Sequence, residues 1–325
     1  MKPVIALSLP TGIGATIGGY AGDFGYIARE FSKYFYTIVN PNAVNGGILS
    51  AIKYDMAYLE GYLYDEFFRG NISITPKKPY ETNKIGVIFD CAIPESILNV
   101  HINTLNALKM VQGIETVGIE YTTEPVGVEI EIQNGISVGK LNNSKTLLES
   151  ASKLIQKGAD ALAVVCFFGE DSEDENYSSG SGVDPIGGIE AVISHLIAKE
   201  FNIPVAHAPA FLDIDISVKI ENPKVSSELI SSTYLPSIMQ GLSVAPKISK
   251  DGLIKNTNVE YLIVPYDALG SKAVLLSIEN NIKIITVENK TVLDVKKEKL
   301  NFTPYKHFES YEQCLKTLVK QEKRH

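Results

Sequence analysis

The chain has 325 residues, 45% hydrophobic and 21% charged, with 30 Lys and Arg against 38 Asp and Glu for a formal net charge of −8. That balance argues against a nucleic-acid surface, whose phosphate contacts need clustered cations, and no apolar run reaches the length of a membrane-spanning helix. Cys91, Cys166 and Cys314 are odd in number and lack metal-ligand spacing, which points to free thiols in a reducing, cytoplasmic compartment.

Val4 to Leu9 reads as a buried strand, ended by Pro10 and too short for a signal peptide. Tyr26 to Tyr34 reads as a helix. Between them, Pro10 to Asp23 holds five glycines. Each costs about 0.5–1 kcal/mol relative to Ala inside an element, so the density calls for left-handed backbone or for an approach closer than a Cβ permits. Free N–H groups at a helix start, with the positive end of its dipole, make an anion site. Thr11, Gly12 and Gly14 are therefore candidate ligand-binding residues, and Asp23 a candidate proton carrier. Asn40, Asn42 and Asn45 follow in a loop, suited to bind a ligand or to bond their own backbone.

Ser50 to Phe68 carries Tyr54, Tyr58 and Tyr62 at i, i+4 spacing, an aromatic stripe that predicts a helix face for the core or for a homo-oligomer contact. Glu60 and Asp65 lie among these residues, and one is positioned to turn inward. Residues 69–83 read as a connector. Strand, helix and strand follow at Lys84 to Phe89, Glu95 to Val111 and Thr116 to Tyr121, and place Asp90 and Glu124 just past strand ends, where ligands sit in parallel sheets. Asp90 is a candidate catalytic residue, with helix capping as the plainer reading.

Val126 to Val138 alternates like a hairpin, Ser144 to Lys157 reads as a helix, and Ala161 to Phe168 is the most apolar strand and so central. Residues 169–182 hold five crowded acids, Glu170, Asp171, Glu173, Asp174 and Glu175, and fit a solvated loop or a lid. Asp184-Pro185 starts a helix, loosened at once by Gly187 and Gly188. Residues 182–201 thus repeat the first device: Ile-Gly-Gly recurs at 17–19 and 186–188, and Ile27-Ala28-Arg29-Glu30-Phe31 is matched by Ile197-Ala198-Lys199-Glu200-Phe201.

Asp184, Gly187 and Gly188 are accordingly candidate site residues. Glu190 and His195 are five apart and do not share a helix face as a metal pair would. His195 reads as a packing histidine, whereas His207, at the end of a strand, suits acid–base work near neutral pH. A helix is expected over Ser226 to Gln240. A third β–α–β unit covers Val259 to Pro265, Ala273 to Glu279 and Ile282 to Val287, and Lys272 at its helix start is a candidate anion clamp.

The dinucleotide fingerprint fails, because Gly12-x-Gly14-x-x-x-Gly18 is one residue too long and the next strand ends in Asn40 rather than an acid. There is no P-loop and no Gly-x-Ser-x-Gly elbow. Five histidines without paired spacing suggest no metal site, and the sequence names no cofactor.

Taken together, residues 10–23, 182–195, His207-Ala208-Pro209-Ala210 and Asp267-Ala268-Leu269-Gly270 resemble the domain-of-unknown-function 3326 family, common in cyanobacteria. The resemblance spans nearly the whole chain and implies no particular activity. In the family pattern small residues stand where Cys91 and Cys166 stand here, which counts against a mechanism built on those thiols.

The sequence therefore predicts an α/β protein with mainly parallel sheets of repeated, Rossmann-like βαβ units. They are divided into pseudo-symmetric lobes at 1–143 and 144–325 or joined in one domain. The expected function is a non-redox lyase or isomerase acting on a small carboxylate or phosphate metabolite held at glycine-rich helix starts. A cofactor-free racemase using Cys91 and Cys166, and a non-catalytic ligand sensor, remain the alternatives.

Overall fold

A computed structural model describes residues 2–10, 13–18, 24–44, 46–134, 136–169, 183–211 and 233–323. All four residues of β1 (Val4–Leu7) are buried, Ile5 and Leu7 in one apolar cluster and Val4 and Ala6 in a second. The same split by parity recurs in β5 (Ile85–Phe89) and β9 (Ala161–Phe167). Successive strand residues face opposite ways, so each strand is covered on both sides, as parallel sheets require.

The other strands of the first sheet are β2 (Tyr36–Val39), β3 (Met56–Tyr58), β12 (Val259–Pro265), β13 (Lys283–Val287) and β14 (Lys306–Phe308). All six strands are parallel, in the order β14-β13-β12-β1-β2-β3. The second sheet adds β6 (Thr116–Tyr121) and β10 (Val205–Ala210) in the parallel order β10-β9-β5-β6. Residue 143 falls between β6 and β9, so the second sheet spans that point in the chain. The first sheet joins strands that precede residue 59 to strands that follow residue 258. Two antiparallel pairs complete the strands: β4 (Ser73–Thr75) with β11 (Lys247–Ser249), and the hairpin β7 (Val128–Gln133) with β8 (Ile136–Leu141).

Helices α1 (Gly25–Ser32), α3 (Glu95–Gln112), α6 (Leu235–Val244) and α9 (Tyr311–Glu322) contribute to the first apolar cluster. Helices α2 (Gly61–Arg69), α4 (Ser144–Gln156), α5 (Gly187–Phe201) and α7 (Lys272–Glu279) contribute to the second. A short α8 (Lys297–Leu300) precedes β14.

The lobes repeat one plan. The units β12–α7–β13 and β1–α1–β2 give the order β13-β12-β1-β2, and β5–α3–β6 and β9–α5–β10 give β6-β5-β9-β10. The faces are exchanged, α1 matching α5 and α7 matching α3 on opposite sides. With right-handed crossovers, that exchange means that both sheets point their strand carboxyl ends to the same edge. The edge strand β10 then lies beside the 3-10 helix Gly46–Ala51, which leads from β2 to β3, and the seam between the sheets runs there: a Cβ on Gly46 would stand 3.2 Å from the His207 carbonyl oxygen.

The lobes also share a tether. Asp90 follows β5, and its Oδ1 accepts from the Val126 N–H beyond β6 at 3.2 Å. Asp267 follows β12, and its carboxylate accepts from the Thr291 N–H beyond β13 at 2.9 and 3.1 Å.

The expected helix over Ser50 to Phe68 is not formed. Pairing with β2 draws residues 56–58 into β3, and Glu60 then caps α2 with φ −56° and ψ 153°. Tyr54, Tyr58 and Tyr62 therefore sit in a turn, a strand and a helix. Tyr54 donates to the Pro79 carbonyl at 2.7 Å, Tyr58 is buried, and Tyr62 meets His195 edge to face, so they form no common stripe. Helix α5 begins at Gly187 rather than Asp184, because Asp184 closes a turn, accepting the Ile186 N–H on Oδ1 and the Gly187 N–H on its carbonyl. Helix α6 begins at Leu235, and the first part of the helix expected over Ser226 to Gln240 lies, with the rest of residues 212–232 and with residues 170–182, outside the described residues.

Candidate functional site

Beyond the last register pair of β3, Val39 with Tyr58, the chain turns at Glu60. Its carboxyl is 1% exposed, Oε2 accepts from the Tyr62 N–H at 2.7 Å, and Oε1 lies 3.7 Å from His195 Nδ1. Burial pushes this carboxyl up to about 7, while the amides of Tyr62 and Gly61 and the charge of His207 pull it down. Glu60 thus stands between proton donor and acceptor near neutral pH.

Across the seam, Glu190 lies in the first turn of α5 and His207 in β10. His207 Nε2 is 3.4 Å from Glu190 Oε2, and its Nδ1 is 3.1 Å from Ser194 Oγ. The Ser194 hydroxyl has one proton and two kinds of acceptor, the Glu190 and Ala191 carbonyls at 3.3 and 3.4 Å or His207 Nδ1. His207 thus meets Ser194 through Nδ1 and faces the Glu190 carboxylate through Nε2. The other oxygen, Glu190 Oε1, is buried without a hydrogen-bond partner among the described residues, a costly arrangement that native proteins rarely leave without purpose. Ser194 is fully buried within its helix, which excludes it as an exposed nucleophile.

Both glycine-rich turns reach one strand of the hairpin. Ile13 bridges to Ile136 of β8, and the Gly188 N–H donates to Oγ of the adjacent Ser137 at 2.9 Å. Gly14 offers its carbonyl to the Val292 N–H, and Ala15 bridges to Thr291. A Cβ on Gly188 would stand 2.2 Å from the Ser137 carbonyl oxygen, so close packing of protein on protein already explains that glycine. Ser137 Oγ, which donates to the Pro185 carbonyl at 2.6 Å, occupies the place where the oxygen of an anion would take the Gly188 amide.

Asp90 is buried and committed: Oδ1 accepts from the N–H groups of Ala92 and Val126, and Oδ2 from that of Phe167 at 3.4 Å. Lys272 is paired with Asp65, whose Oδ2 lies 3.3 Å from its Nζ. Asn40 and Asn42 bond the backbone of Leu9 and Pro10, holding the exit of β1 rather than their own loop. Cys91 is exposed, while Cys166 is buried and burial pushes its thiol well above the ordinary value. Thr11, Gly12 and Asp23 lie outside the described residues. Of the expected site residues, the seam therefore brings His207 together with Glu190, which sequence reasoning weighed only as half of a metal pair. Glu60 and His195 join them.

The family described as Protein of unknown function (DUF3326) matches residues 4–323. The chain belongs to that family. A DUF3326 chain of this kind is similar to an uncharacterised lipoprotein of Synechococcus sp. (strain ATCC 27144 / PCC 6301 / SAUG 1402/1), at 33% identity over 316 residues, covering 94% of this chain and 87% of the relative. No solved structure matches it. Among its described residues no helix is long and apolar enough to cross a membrane, and no group of three or more His, Cys, Asp or Glu is placed to hold a metal. A groove of about 610 Å³ between α1 and α9 contains Glu30 and Glu312. Glu312 is exposed and Glu30 half-buried, and they are paired with Lys316 and Lys33, so the groove offers nothing comparable to the buried acids of the seam.

Proposed function

We propose that the seam is the active site of a non-redox enzyme, of lyase or isomerase type, that moves a proton on a small carboxylate- or phosphate-bearing metabolite. The observation that carries this reading is Glu60, a fully buried carboxyl that titrates near 7 within the field of His207. An acid poised near working pH transfers protons most efficiently, and a buried, strongly perturbed carboxyl just beyond a strand carboxyl end is a candidate for a reactive site. In this reading Glu60 and the His207–Glu190 pair are the two proton carriers, and Glu190 Oε1 receives a donor from the substrate. The anionic group displaces Ser137 Oγ from the Gly188 amide. Burial of Cys166 disfavours the thiol-pair racemase, which needs a thiolate. A cytoplasmic location, resting on the three free cysteines, belongs to the same proposal and is checked by cell fractionation, which matters because the Synechococcus relative is named a lipoprotein.

The test is a panel of small carboxylates and phosphates, screened for thermal stabilisation and then for turnover with the wild-type protein, Glu60→Gln and His207→Gln. Turnover of a stabilising compound that both variants lose by about a hundredfold or more supports the proposal. Binding without turnover indicates a sensor, and full turnover in both variants refutes the assignment.

A further inference from the structure

Glu60 must exchange its proton with solvent between turnovers, yet its carboxyl has almost no surface. The inference that follows rests on Glu60 being the working acid proposed above. Two histidines sense this carboxyl. His207 is held from both sides by Ser194 and Glu190, and its side chain is only 12% exposed. His195 has a side chain 47% exposed and places Nδ1 3.7 Å from Glu60 Oε1.

We propose that His195 is the proton relay between Glu60 and water. A proton from water or buffer adds to Nε2 on the exposed side, the Nδ1 proton passes to Glu60 Oε1, and the ring is left neutral with hydrogen on Nε2. Release of a proton from Glu60 runs the same steps backwards. The 3.7 Å separation closes to hydrogen-bond distance with a small side-chain movement, as is usual for such contacts before a ligand is bound.

The surroundings suit a carrier. On α2, Asp65 faces the ring and Tyr62 meets it edge to face at 5.4 Å. On α5 Lys199 is near, and on α7 Lys272, itself paired with Asp65. Burial, Lys199 and Lys272 lower the imidazole from its ordinary value while Asp65 raises it, with burial the largest influence. The ring is therefore neutral at pH 7 and free to accept.

The test needs no substrate. Protein labelled with ¹³C at the glutamate carboxyls is titrated by NMR, with the Glu60 signal assigned by its absence in Glu60→Gln. Its proton-exchange rate is then measured at the titration midpoint in dilute buffer. His195→Ala is expected to slow exchange about tenfold or more, and added imidazole to restore it. His195→Gln, which keeps a polar group but neither takes up nor releases a proton near neutral pH, is expected to stay slow. An unchanged rate in His195→Ala, or a slowed rate that imidazole does not restore, overturns the relay while leaving Glu60 as the acid. A wild-type Glu60 that does not titrate near neutrality overturns both readings.

Discussion

Replacing Glu60 by Gln should make the protein more stable at pH 8 than at pH 4.5 relative to wild type. The folded carboxyl titrates at about 7 against an ordinary value of 4.5, because burial opposes its charge. Between those values the folded chain keeps a proton that the unfolded chain has lost. The contribution of Glu60 is thus intact below 4.5, declines as pH rises, and is fully lost above 7. A shift of this size corresponds to about 3 kcal/mol, at about 1.4 kcal/mol per pH unit. For a chain of this length the unfolding entropy is about 0.7 kcal/mol per degree, so the gap in melting temperature between variant and wild type should widen by about 5 °C across that window. Gln can still accept the Tyr62 N–H, and any packing cost of the amide is independent of pH and cancels in the comparison. Thermal melts of both proteins at half-unit steps from pH 4.5 to 8 measure it. Parallel melting curves, with a constant gap, would refute the burial argument for Glu60.

His101 has the opposite slope: it is buried beside Thr233, and burial pushes its ring down to about 4. Its contribution is intact above 6.5 and lost as pH falls through 4, so the urea midpoint of His101→Gln should depend less on pH between 7 and 4.5 than that of wild type. Gly188→Ala should cost about 3 kcal/mol, since its Cβ would overlap the Ser137 carbonyl, whereas Gly187→Ala, whose nearest contact would be 3.5 Å, should change stability by less than about 1 kcal/mol. Equal effects in chemical denaturation would refute the packing account of the Gly-Gly pair. Asp90→Asn sets an amide donor against backbone N–H groups reached through both oxygens and should cost about 2 kcal/mol. Asp267→Asn keeps one oxygen for the Thr291 N–H and should cost measurably less in the same assay.

The sheets were legible because their strands are short apolar runs closed by Asp or Gly. Residues 85–89, 161–167 and 259–265 fall within a residue or two of the expected strands. The Ile-Ala-Arg/Lys-Glu-Phe blocks do end equivalent helices, α1 and α5, whereas Ile-Gly-Gly opens only α5: Ile17 and Gly18 lie well before α1, and Gly19 is outside the described residues. The tyrosine stripe misled because its periodicity is local, while residues 56–58 are recruited by a neighbouring strand, and register with β2 outweighs helical spacing. The seam was hidden for a related reason. Glu60 gains its unusual titration only when α5 and β10, more than a hundred residues later, close over it. In the sequence it is simply an acid before a helix, the ordinary appearance of a cap. Gly188 lies against β8, where a Cβ would overlap the Ser137 carbonyl, a close approach that appears only once the chain is folded.

The place of β1 governs how the polypeptide leaves the ribosome. One of its flanks is paired by β2 soon after synthesis, but Leu7 finds its other partner only at Ile263, about 250 residues later. At 5–20 residues per second that edge waits roughly ten to fifty seconds, while everything needed for β5, β6, β9 and β10 has already emerged. The central lobe can therefore mature first and serve as the surface on which the interrupted one is finished. Nascent chains arrested near residue 250 should show protease-resistant residues 85–169 and 183–210 beside a still cleavable N-terminal segment, and the reverse pattern would refute that order of assembly.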